Sequence, residues 1–186
     1  MRHLSRPLVA LTALTLIAPA VAQAAAPASG TVTINSNVAP LCQGGTLSGA
    51  GSTFELGVLI DTGTGLLKTT LSAPPKTLAG AFCNIKSTIS ITATPMLAQS
   101  FTGSPPNGFT DAVDYTATAS GWTPRAARFT TDASSNPDAS QTRATAFSGD
   151  ITVAIGSFAP VGGATLRPVA DPSYLGDVTV TLAVAS

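Results

Sequence analysis

Charge, aromatic rings and histidine are all scarce in this sequence. Of its 186 residues 10% are charged and 5% aromatic, against about 25% charged in ordinary globular proteins. Nine basic and nine acidic residues lie thinly spread and cancel. No basic stripe gives nucleic acid a footprint, and no acidic block marks a solvated tail. The one histidine is His3, within a segment argued below to be removed. A mature chain without imidazole excludes Ser-His-Asp and Cys-His catalysis and histidine-ligated metal sites. Glu55 is the one glutamate. Asp111 and Asp114, near Trp122, stand three apart on a strand and so point to opposite faces. They read as solvated turn and edge carboxylates rather than a glycosidase pair. Asp132, Asn136 and Asp138 lack the glycine and closing glutamate of a calcium loop, and Pro137 interrupts them. Lys68, Lys76 and Lys86 are isolated, and no glycine-rich turn leads into a helix that could cradle phosphate. The expectation is a non-enzyme without metal or cofactor.

An address segment opens the chain. Arg2 and Arg6 precede an uncharged apolar run from Leu8 to Ala22, and Ala22-Gln23-Ala24 follows with small residues at alternate positions. These are the parts of a secretory signal peptide. As a helix the run spans about 22 Å, short of a hydrocarbon core of about 30 Å. Residues 1–24 are therefore expected to be removed and the chain exported to the cell surface or periplasm, with no transmembrane segment in the mature protein. Cleavage leaves seven basic residues against nine acidic ones, a balance too weak to indicate a partner. In an oxidising compartment the even pair Cys42 and Cys83 favours a disulfide, over two buried thiols or a metal pair.

Period-2 alternation recurs where helical periodicity is absent. Val32, Ile34 and Val38 alternate with Thr31, Thr33 and Asn35. Further runs are Phe54–Leu56–Val58, Ile89–Ile91–Ala93, Val113–Tyr115–Ala117–Ala119, Ile151–Val153–Ile155 and Val178–Val180–Leu182–Val184. Such spacing predicts half-buried strands. Gly44-Gly45, Gly63 with Gly65, Pro74-Pro75, Pro105-Pro106-Asn107-Gly108 and Gly162-Gly163 punctuate them into turns, and Asp132 to Gln141 reads as an exposed polar loop. Six or more short strands without helices predict an antiparallel sandwich or barrel. Too few aromatics and too short strands argue against a membrane barrel. Trp122, after Gly121, reads as a core or sandwich-end residue.

Gly30-Thr31-Val32-Thr33-Ile34-Asn35-Ser36-Asn37-Val38 is an alternating arm ahead of Cys42. Phe54-Glu55-Leu56-Gly57-Val58 is an aliphatic–Leu-Gly–aliphatic stretch after that cysteine. Tyr174-Leu175-Gly176-Asp177-Val178-Thr179-Val180-Thr181-Leu182 runs from a Tyr and an Asp into an alternating tail. Together these three stretches resemble chaperone–usher pilin subunits and the related spore-coat-U-type secreted proteins, the last being similar to the ending of coat-U-type subunits. The resemblance implies an immunoglobulin-like sandwich (residues 42–186) lacking its final strand, behind an N-terminal arm (residues 25–41). It further implies a non-catalytic subunit of a fibre or coat. Val32, Ile34 and Val38 would be donated to a groove beside Val178, Val180, Leu182 and Val184, which a periplasmic chaperone and then neighbouring subunits would fill by β-augmentation. A monomer folding its own arm into that groove satisfies the same pattern. So, from another class, does a secreted or periplasmic binding module for a sugar or surface ligand.

Overall fold

The structure, a computed structural model, describes residues 33–48 and 52–185. The expected signal peptide, its cleavage point and Val32 lie outside the described residues. Residues 38–186 form one compact unit. Its strands are β1 (Cys42–Gln43), β2 (Thr46–Ser48), β3 (Lys76–Cys83), β4 (Ser87–Ala93), β5 (Met96–Ala98), β6 (Phe109–Thr110) and β7 (Ala112–Ser120). They continue with β8 (Ala127–Thr130), β9 (Ser140–Arg143), β10 (Phe147–Pro160), β11 (Arg167–Pro168), β12 (Tyr174–Leu175) and β13 (Val178–Val184).

These strands build an all-β sandwich. One sheet runs β1-β3-β10-β7-β5-β12, with β2 beside β3 and β8 beside β7, and a smaller sheet runs β13-β4-β9. Every pairing within these two sheets is antiparallel. The core between them is what the alternation predicts. Ile89 and Ile91 of β4 face Val113, Tyr115, Ala117 and Ala119 of β7 and Ile151 and Val153 of β10, all buried. Residues between them face outward, so each strand shows two chemistries on its two faces.

One chain passage belongs to both sheets. β4 lies in the small sheet and β5 in the large one, with only Thr94 and Pro95 between them. β12 and β13 follow that passage back antiparallel, from Tyr174 opposite Ala98 to Val184 opposite Ser87. Gly176 makes the crossing possible. A Cβ there would meet the carbonyl oxygens of Thr94 at 2.8 Å and Pro95 at 2.9 Å, which are backbone and cannot yield.

Three expectations need correction. Phe54 to Val58 is not a strand. Gly57 takes φ +66°, which breaks the extended alternation. Phe54 and Leu56 pack on the core, whereas Val58 is turned out to solvent. The polar loop after Asp132 ends sooner than expected, in a short 3-10 turn at Pro137–Ala139, because Ser140 and Gln141 already pair with β4. Asp114 is not solvated: it lies on the outer face of β7 yet is buried, its Oδ1 accepting from the Thr131 hydroxyl at 2.6 Å.

Candidate functional site

β13 forms one edge of the small sheet. It pairs with β4 along its whole length, and among the described residues no strand pairs with its other side. Val178, Val180 and Leu182 are half-buried against the core, while Thr179 and Thr181 face water. Val184 is 41% exposed. The strand's start is fixed firmly. Thr94 N–H donates to the Asp177 carbonyl and Asp177 N–H to Thr94 Oγ1, both at 2.9 Å. The Tyr115 hydroxyl donates to the same Asp177 carbonyl at 3.1 Å.

Beside this start opens a groove of about 1350 Å³, lined among others by Phe54, Leu56, Met96, Tyr115, Tyr174 and Val178. Its walls are the segment 52–60, whose residues 53–59 belong to no strand, and the passage from Arg167 to Val178. The second wall is braced from behind. Tyr174 donates its hydroxyl to the Val169 carbonyl at 2.9 Å. The Asp171 carboxylate accepts from the backbone N–H of Ser100 and Phe101 at 2.8 Å and of Ser173 at 2.9 Å. Partial desolvation pushes the Asp171 pKa up, but these N–H donors together outweigh it and hold the carboxyl below the usual range. Just past the first wall the Asp61 carboxylate caps a tight turn, accepting from the Thr64 N–H and hydroxyl, and these donors hold it below the usual range.

Burial, helped by the nearby Asp177 charge, pushes the Tyr115 phenol up from 10.0 to about 12. Its folded pKa lies above the unfolded value, so the neutral phenol stabilises the fold fully below pH 10 and that contribution is lost as pH rises towards about 12. The expected loss over this window is roughly 2–3 kcal/mol. Urea unfolding measured between pH 9 and 12 should show a shallower decline for Tyr115→Phe than for the parent protein. Equal slopes would remove Tyr115 as the cause.

The arm-root residues show how the sequence's first cysteine is used. Cys42 and Cys83 stand directly opposite each other on β1 and β3 and are bonded, Sγ–Sγ 2.06 Å. Next to them Asn84 acts as a surrogate strand residue. Its Oδ1 accepts from Leu41 N–H at 2.8 Å, its Nδ2 donates to the Ala39 carbonyl at 2.8 Å, and its own N–H donates to the Leu41 carbonyl at 3.0 Å. Of the expected donor residues, Ile34 is 89% and Val38 83% exposed, and residues 33–40 belong to no strand. Of the four expected groove residues on β13, only Val178 lines the groove; Val180 and Leu182 face the core beyond it.

Sequence reasoning missed Asn84, Asp171 and the hydroxyls of Tyr115 and Tyr174. Only the Tyr174-Leu175-Gly176-Asp177 run carried a readable signal. Asp138 pairs with Arg125 at 3.0 Å, and Asn136 brackets the Thr130 backbone. Among the described residues no cluster of three or more potential metal ligands occurs, and no helix is long and apolar enough to cross a membrane. In comparisons with known proteins the chain matches no family model, no curated protein and no solved structure.

Proposed function

We propose that this chain is an exported, non-catalytic structural subunit of an extracellular fibre or surface coat, joined to its neighbours by strand donation. One observation carries the reading: an edge strand, β13, with a half-buried aliphatic face and an open second side, starts beside a groove partly lined by aliphatic and aromatic side chains. An unpaired edge over a core invites another strand and is an aggregation hazard unless something covers it. The same chain offers a candidate strand, since Ile34 and Val38 are both solvent-exposed and residues 33–40 belong to no strand. Backbone bonds along β13 would supply affinity, and alternate side chains entering the groove would supply register. A periplasmic chaperone would guard the edge before assembly, and the intramolecular disulfide fits an oxidising compartment. The alternative, a binding module that holds a sugar or surface ligand on aromatic rings exposed at one end of the sandwich, is less favoured as the chain's main role because Trp122 and Tyr115 are buried in the core.

The test is the oligomeric state of residues 25–186 by size-exclusion chromatography with light scattering. Burying each aliphatic donor side chain is worth roughly 1.5–3 kcal/mol. Val32→Asp with Ile34→Asp should therefore weaken self-association by two orders of magnitude or more. Thr31→Ser with Thr33→Ser should change little. A double aspartate variant that keeps both its melting temperature and its oligomeric state refutes strand donation.

A further inference from the structure

The outer face of the large sheet carries a second, separate depression of about 220 Å³, lined in part by Thr116, Thr118, Arg128, Ala154, Gly156 and Ser157. Three independent features make it. The first is the floor: Thr118 stands opposite Ala154 and Thr116 opposite Gly156, so two neighbouring positions of β10 present little or no side chain. The second is the cation. Arg128 pairs across the strands with Thr118 and is solvent-exposed, and its guanidinium makes no hydrogen bond or ion pair with any described residue. The third is the backbone. Between Gly156 and Ala159 the register of β10 against β7 shifts, and within that bulge Ser157 adopts φ +54°. It is the only non-glycine residue with positive φ among those described. Bulges that re-aim a strand and backbone held in a costly region both concentrate at binding sites.

We infer that this depression binds an acidic sugar, with Arg128 forking onto the carboxylate and the ring resting on the Ala154–Gly156 floor. A guanidinium presents two parallel N–H donors that match a carboxylate, a stronger pairing than neutral hydrogen bonds. Thr118 supplies a hydroxyl beside the floor. The buried Thr116 hydroxyl already lies 3.0 Å from that of Thr130, leaving its remaining capacity for a ring hydroxyl. Asp114, the one carboxylate on β7, is buried, accepts from the Thr131 hydroxyl and makes no ion pair with Arg128. The volume suits one ring rather than a drug-sized ligand. This site is independent of strand donation, and a monomeric variant is as good a sample as the polymer.

The experiment is a chemical-shift titration of ¹⁵N-labelled residues 25–186 carrying Val32→Asp and Ile34→Asp, with sodium glucuronate, glucose and acetate as probes. Glucuronate is expected to shift the amides of 116–118, 128 and 154–157, and to bind more tightly than either other probe. Arg128→Gln should weaken it about tenfold, the weight of a charge-assisted pair. Gly156→Val tests the floor, since a Cβ there meets no atom within 4 Å and the fold should be kept. It should abolish the glucuronate shifts while sparing those caused by acetate. Acetate binding as tightly as glucuronate would overturn the sugar, glucose doing so would overturn the role of Arg128, and no shifts at these amides would overturn the site.

Discussion

Replacing Cys42 and Cys83 together by alanine is expected to destabilise the protein by about 4 kcal/mol, the loop-closure entropy for this separation. The bonded residues lie 41 apart in sequence, and the loop between them contains β2, segment 52–60 and most of β3. Without the bond, the unfolded chain regains that freedom while the folded state keeps only the short β1–β3 pairing and the Asn84 bonds. For a domain this size the loss corresponds to a fall in Tm of roughly 8–16 °C. Thermal and urea unfolding of the double variant measure it, with reduced parent protein as the companion sample. A change below about 1 kcal/mol would mean that the ladder alone holds β1 in place.

Trp122→Ala is expected to cost about as much, roughly 3–5 kcal/mol. The ring is fully buried and meets Phe147 edge-on, with centroids 5.1 Å apart. Its Nε1–H donates to the hydroxyl of Ser87 at 3.1 Å, and Ser87 itself is 0% exposed. Truncation therefore leaves a cavity and an unsatisfied buried hydroxyl together. The damage reaches the neighbouring cation, because Arg143 stacks over Phe147 at 3.6 Å and donates Nη1–H to the Trp122 carbonyl at 2.7 Å. Trp122→Phe keeps most of the volume and loses the bond to Ser87, so it should cost about 1–3 kcal/mol. Denaturant midpoints at constant m-value separate the two. If alanine proves no worse than phenylalanine, packing at this end of the sandwich contributes little.

Alternation made much of this fold readable. β4, β7, β10 and β13 all lie where β-branched and small apolar residues recur at every second position, and each buries the expected face. The turns fall at the glycine and proline clusters for the same local reason. Lys76–Cys83 was not legible as a strand, because Lys76, Thr77, Ala79 and Gly80 interrupt any simple pattern and its place is set by β1, β2 and β10 on either side. Phe54–Val58 failed in the opposite direction. Its alternation is clear, but a strand also needs a ladder, and one left-handed glycine denies it. The site was less readable still. Asn84 and Asp171 act on backbone groups 43 and 70 residues away in sequence, distances over which local pattern carries no information. Arg128 carries no local sequence signal, and only the strand pairing sets it opposite Thr118.

The passage of β4 into β5, shadowed by β12 and β13, has a bearing on how the molecule comes apart. A sandwich whose two sheets are joined only by loops can lose one sheet and keep the other. Here two consecutive pieces of one hairpin are stitched into both layers, and the crossing is sealed by Gly176 and the Thr94–Asp177 bonds. Peeling β13 from β4 therefore strains β12 on β5, and with it the wall of the groove. Such wiring couples the open edge to the interior: β13, at the rim of its sheet, is held to the core through β12 and the crossing. The two layers are therefore expected to unfold in one cooperative transition rather than in turn.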